Sequence, residues 1–147
     1  MFESQHPRDK FGKFVKKINE KGFDAKIEDF ADGDPNNKNS LGLPDRNPYV
    51  KDGVAYLYDE NNYIAAFHEW GHLYTHKNPQ KLREYSEKIG DYDEYLDATQ
   101  GRYREVVVQD IGELFAEAFA HYINDETDNE IEILKTILKK ETNNGRN

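Results

Sequence analysis

Two histidines four residues apart, with a glutamate directly after the first, constrain this chain more than any other feature. The stretch is His68-Glu69-Trp70-Gly71-His72. On a helix the two imidazoles share a face about one turn apart, where both can reach a single tetrahedral ion such as zinc. Glu69 then sits beside the metal, able to take a proton from its water. Two His leave zinc one protein ligand short when a fourth position is kept for water, so the fold must bring a second element up to this helix. The flanks suit that demand: Gly71 allows close approach of a neighbouring chain, and Phe67 and Leu73 can anchor the helix in a core. Such a pattern arises by chance in roughly 1 in 100 chains of this size, so its surroundings must decide.

The chain has no cysteine. Disulfides and thiolate metal sites are excluded, and the remaining ligands must be His or carboxylates. The candidates for the third ligand are His76, His121, Glu113 and Glu117. His76 extends the histidine series by another four residues, but each such step turns the helix by about 40°, so the third imidazole swings about 80° from the first. It reads as a surface or helix-end histidine. Glu113-Leu114-Phe115-Ala116-Glu117-Ala118-Phe119-Ala120-His121 is a better source. Its two carboxylates stand one turn apart among small and apolar residues that leave no broad polar face. Glu113 reads as the third ligand and Glu117 as acceptor for the N–H of a ligand His, with His121 the alternative ligand.

Length and patterning set the frame for this site. A chain of 147 residues suits one compact domain. Charged residues reach 33%, but ten Tyr and eight Phe supply enough apolar area for a small aromatic core. Phe11, Phe14, Val15 and Ile18 recur at helical spacing, with Gly22 as the stop. Phe23 to Phe30 alternates like a half-buried strand. Ala31 to Gly53, dense in Asp, Asn, Gly and Pro, reads as a long surface loop. Its Asp32-Gly33-Asp34-Pro35-Asn36 begins like a calcium loop, but Asn37 and Leu43 occupy the positions that need Gly and Glu. Val54 to Tyr58 is a second strand, leading into the His68 helix, which should end near Asn78-Pro79. Further helices are expected over Pro79 to Gly90, over Tyr103 to Asn124 and from a capping box at Thr127-Asp128-Asn129-Glu130 onward. Residues 1–10 and 143–147 are expected to be disordered.

His-Glu-Trp-Gly-His followed about forty residues later by Glu-Leu-Phe-Ala-Glu-Ala-Phe resembles the catalytic domain of anthrax-lethal-factor-like zinc metallopeptidases, a group that includes the Pro-Pro endopeptidases. The resemblance covers roughly Asp52 to the C-terminus. It implies a small α+β zincin fold, one domain over 1–147, with the metal between two helices. It makes His68, His72 and Glu113 zinc ligands, Glu69 the general base and Glu117 a supporting acid. Family members also carry an oxyanion-stabilising tyrosine seven residues before the ligand Glu, and here that position is Val106. Tyr103, three residues further back, is the substitute if the helix starts earlier; Tyr92 and Tyr95 are others. Separately, Gln5 to Phe14 resembles a short stretch recurring in phage and prophage structural or accessory proteins.

The formal charge is −9, which argues against nucleic acid as a partner. The basic runs, Lys10 to Lys21 and Lys139-Lys140, read as solvated helix faces. No apolar run approaches the roughly 18 residues of a membrane span, and Met1 to His6 lacks the blocks of a signal peptide. A cytoplasmic or phage-associated location is therefore expected unless a leader was removed. The expected activity is zinc-assisted peptide-bond hydrolysis, with Val54 to Tyr58 as a small sheet at the cleft edge that takes an extended peptide or protein substrate by strand addition. Two alternatives stand beside it. One is a weak or inactive metal-binding interaction module; the other is an intracellular zincin that cleaves one dedicated partner.

Overall fold

The computed structural model describes residues 7–90 and 111–146. Helix α1 runs Pro7–Glu20 and buries Phe11, Phe14 and Ile18 along one stripe. Proline suits a first turn because its missing N–H has no helical partner there. The helix stops at Gly22, whose φ of +98° glycine adopts readily. Beyond the turn, Asn19 clamps Ala25 from both sides, accepting from its N–H at 2.6 Å and donating to its carbonyl at 3.0 Å.

The expected strand from Phe23 to Phe30 is only partly a strand. The burial alternates as the sequence suggests, with Ala25 buried and Asp24, Lys26 and Glu28 exposed. However, Ile27–Asp29 closes into a single 3-10 turn, and β1 covers only Phe30–Asp32. Asp29 forces this outcome. Its carboxylate accepts from the Lys26 N–H at 2.9 Å and from Trp70 Nε1 at 2.9 Å, bonds that an extended chain would not allow together.

The loop expected over Ala31 to Gly53 hides another strand. β2, Tyr49–Lys51, pairs antiparallel with β3, Val54–Leu57, through a tight turn at Asp52 and Gly53. Both turn residues have positive φ, 52° and 79°, as a two-residue hairpin turn with the right twist requires. β1 joins the other side of β3 in parallel, giving the order β1-β3-β2. β3 is therefore the central strand of the described sheet, not the free edge that strand addition to Val54 to Tyr58 requires. Both its sides are already hydrogen-bonded, so only β1 or β2 could accept an added strand. Ala55 and Leu57 point inward and are buried, while Tyr56 stacks on Tyr49 across the hairpin at 4.9 Å between ring centroids.

Four more α-helices are found among the described residues. α2 spans Tyr63–Lys77 and is capped by Asn62, whose side chain accepts from the Ala65 N–H at 3.0 Å. α3 spans Pro79–Ile89 and ends at Gly90. α4 covers Ile111–Ile123; the stretch of the expected helix before Ile111 lies outside the described residues. α5 spans Asn129–Arg146. Its cap is Asp128, accepting from the Ile131 N–H at 2.9 Å, rather than Thr127 as the expected capping box has it. α1 beginning at Pro7 and α5 running to Arg146 carry helix into both stretches expected to be disordered.

The described residues form a small α+β domain of five α-helices and a three-stranded sheet. α2 is its hub, packing on β3, α1, α3 and, most extensively, α4. Residues from α1, the sheet and all of α2 to α5 join one contiguous hydrophobic core. Among the described residues, no helix is long and apolar enough to cross a membrane.

Candidate metal centre

The seam between α2 and α4 positions the site. Along it Gly71 lets the helices close in: a Cβ there would meet Phe119 Cδ1 at 3.3 Å and Ala116 Cα at 3.4 Å. Trp70 and Tyr74 stack on Phe119 at 5.7 and 6.0 Å, locking the register of one helix on the other. Asp29 holds Trp70 from the opposite side through its indole N–H. Phe67 and Leu73 are buried, as the anchoring role assigned to them requires.

α4 is buried on most of its circumference: Leu114, Phe115, Ala116, Ala118, Phe119, Ala120 and Ile123 all lie in the core. Glu113, Glu117 and His121, spaced by four residues, form a half-buried row along the remaining stripe. This row faces the histidines of α2. His68 Nε2 lies 3.0 Å and His72 Nε2 3.1 Å from the same Glu113 Oε2, and the two nitrogens are 3.2 Å apart. A tetrahedral ion with bonds of about 2.0–2.1 Å spaces its ligand atoms by about 3.3 Å, close to this triangle. His68, His72 and Glu113 thus form a group able to hold a metal ion, with one donor atom from each within 4.8 Å of the others.

The proton positions fit the same reading. His68 Nδ1 lies 2.6 Å from Glu117 Oε1. The Glu117 carboxyl is pulled down to about 2 by His121 and His68, so it is ionised and can only accept. The hydrogen therefore sits on His68 Nδ1, and in the neutral ring the lone pair of Nε2 faces Glu113 and His72. Burial opposes charge on His68, but Glu117 and then the charges of Glu69 and Glu113 outweigh it and raise its pKa. His72 goes the other way: burial and the neighbouring His68 lower its pKa, leaving a neutral ring with a lone pair to give. Two imidazole nitrogens and a carboxylate oxygen turned toward one point make a donor set suited to a cation once both nitrogens are deprotonated.

Glu69 lies beside this point, its Oε2 4.0 Å from His68 Nε2. Burial, partly opposed by His68 and reinforced by Glu113 and Glu117, pushes its carboxyl up to about 7. A carboxylate with a pKa near neutrality is well matched to exchanging protons at neutral pH.

The structure thus brings together His68, Glu69, His72, Glu113 and Glu117. It does not bring in His76, which is exposed in the last turn of α2. His121 stands outside the metal-ligand group; its Nδ1 lies 2.7 Å from Glu126 Oε2 and its Nε2 3.6 Å from Glu117 Oε2. Tyr103, Val106, Tyr92 and Tyr95 lie outside the described residues. Asp29 and Glu126 escaped the sequence reading. No local pattern marks either one, because the partners Trp70 and His121 become neighbours only after folding. Compared with protein-family models, curated proteins and solved structures, the chain gives no significant match.

Proposed function

We propose that this chain is a zinc-dependent peptidase, a small zincin of the lethal-factor-like kind. The observation that carries the reading is the convergence of His68 Nε2, His72 Nε2 and one Glu113 oxygen at 3.0–3.2 Å, with the Glu69 carboxylate beside them. The pair of sequence motifs on α2 and α4 supports the same assignment. Zinc bound by these three residues would supply Lewis acidity toward a scissile carbonyl and a water molecule.

The chain's own groups carry the rest. Glu69 accepts a proton from the attacking water and returns it to the departing amine, a role its raised pKa supports. Glu117 accepts the Nδ1–H of His68 and so keeps Nε2 free for coordination. With β3 enclosed in the sheet, an extended substrate would add to an edge strand, β2 or β1.

Metal analysis paired with digestion of a peptide library tests the reading. Wild type is expected to carry zinc and cleave peptides. Glu69→Gln is expected to keep zinc and lose about 10²–10⁴-fold in turnover, the usual contribution of general acid–base catalysis. Undiminished cleavage by Glu69→Gln would remove the mechanism.

A second reading is favoured by Val106, which stands where the resemblance calls for an oxyanion-stabilising tyrosine. In it the same metal centre serves a binding module with little or no turnover. Zinc binding without Glu69-dependent cleavage of any library peptide would select it.

A further inference from the structure

The row on α4 continues past the metal centre. Glu117 presents one oxygen to His68 at 2.6 Å and turns the other toward His121 Nε2 at 3.6 Å. His121 Nδ1 in turn lies 2.7 Å from Glu126 Oε2. Glu126 is itself fixed at three points: its N–H donates to the His121 carbonyl at 3.0 Å, and its carboxylate takes both the His121 ring and the Asn124 amide, the latter at 2.9 Å.

The chain is bent back to make this possible. Asp125 adopts a φ of 63°, a left-handed conformation uncommon for a residue with a side chain. Its carboxylate is held by Lys17 at 3.3 Å and Lys21 at 2.5 Å, both from α1. The turn after α4 is thereby pinned to a different helix, and it returns Glu126 to His121.

We propose that His121, anchored by Glu126, is a positioning residue for the metal centre. It acts through Glu117, fixing the carboxylate so that its inner oxygen meets His68 Nδ1 and aims Nε2 at the ion. The inference rests on the metal-centre reading above and extends it by two residues that touch no ligand. A carboxylate held from one side only can rotate or swing away, whereas one whose other oxygen also lies 3.6 Å from the His121 ring, an ion-pair contact when that ring is protonated, is drawn into a single orientation. Partners of this kind beyond the ligands typically change metal affinity by about 10–100-fold.

Two substitutions separate positioning from plain helix-end packing. Gln at 121 reaches as far as the imidazole Nε2 and can still donate to Glu117. Asn reaches only as far as Nδ1 and can serve Glu126 alone. The measurement is the zinc dissociation constant of the full chain, by competition with a chromophoric chelator, with unfolding of the metal-free proteins confirming that each is folded. His121→Asn is expected to bind zinc about 10-fold more weakly, and His121→Gln to stay within about threefold of wild type. Equal affinities for wild type and His121→Asn would overturn the proposal, and so would equal losses in the two variants. If His121→Asn does not fold, Glu126→Ala carries the test: a loss of about threefold supports the anchor, and an unchanged affinity overturns it. A wild-type chain that binds no zinc overturns the metal centre and this inference with it. Tight wild-type binding with an indifferent position 121 overturns the inference alone.

Discussion

The seam between α2 and α4 has two halves built on opposite principles. One half is apolar and complete: Trp70, Tyr74, Phe115 and Phe119 stack ring on ring, and Gly71 seats against Ala116 and Phe119. The other half collects three carboxylates, Glu69, Glu113 and Glu117, around two imidazoles, with carboxylate oxygens 2.6–4.0 Å from the ring nitrogens. The first half needs nothing further to be stable. In the second, three partly buried carboxylates lie close together, and the group adjusts by protonation: against the effect of burial, their charges raise the pKa of His68, and burial raises that of Glu69. The same two helices thus carry an aromatic packing face on one side and a group able to hold a metal ion on the other.

That division can be broken experimentally. Phe119 is fully buried among Phe23, Trp70, Tyr74 and Phe115, so Phe119→Ala should cost about 3–5 kcal/mol in denaturant unfolding. A cost below about 1 kcal/mol would mean that the apolar half is not what holds the helices together. Gly71→Val should cost about 1–3 kcal/mol, because even a bare Cβ already meets Phe119 and Ala116 at 3.3–3.4 Å. By contrast, Glu113→Gln in the metal-free chain should leave stability within about 1 kcal/mol of wild type or raise it, since it thins the crowd of carboxylates. A loss as large as that of Phe119→Ala would erase the distinction between the halves.

The smallest effect concerns pH. Contact with Glu117, opposed by burial and helped by Glu126, raises the pKa of His121 above its ordinary 6.5. A raised histidine contributes stability that is fully present below the unfolded value and disappears as pH climbs through the folded one. The stability gap between metal-free wild type and His121→Gln should therefore be widest below pH 6.5 and close at higher pH. A gap that is flat or widens with pH would contradict the assigned contacts.

The site was far more legible in the sequence than the sheet. His68, Glu69 and His72 lie within one helical segment, so their relation follows from helix geometry alone. Glu113 and Glu117 stood out because their neighbours are alanines and aromatics, which leave a lone carboxylate pair without a solvated face to belong to. The strand Tyr49–Lys51 was invisible for the opposite reason. Three residues cannot show a period, and their pairing depends on β3 beyond the turn. Asp52-Gly53 was the one usable signal, since that dipeptide favours the two-residue hairpin turn. The alternation from Phe23 to Phe30 recorded burial faithfully but not hydrogen bonding, because Asp29 spends its carboxylate on Trp70 and the local turn. His121 reads from the sequence as an alternative ligand, yet its bond to Glu126 needs a left-handed Asp125 and two lysines from α1. Contacts of that kind become readable only once the chain has folded.

The proposals above all rest on a metal centre shared between α2 and α4. Its most direct test is a zinc titration of the purified chain beside His72→Ala and Glu113→Ala, one ligand removed from each helix. Wild type is expected to bind one zinc tightly, and both variants, each still folded, to lose that binding. Absence of zinc binding by wild type, or binding that neither substitution weakens, would contradict it.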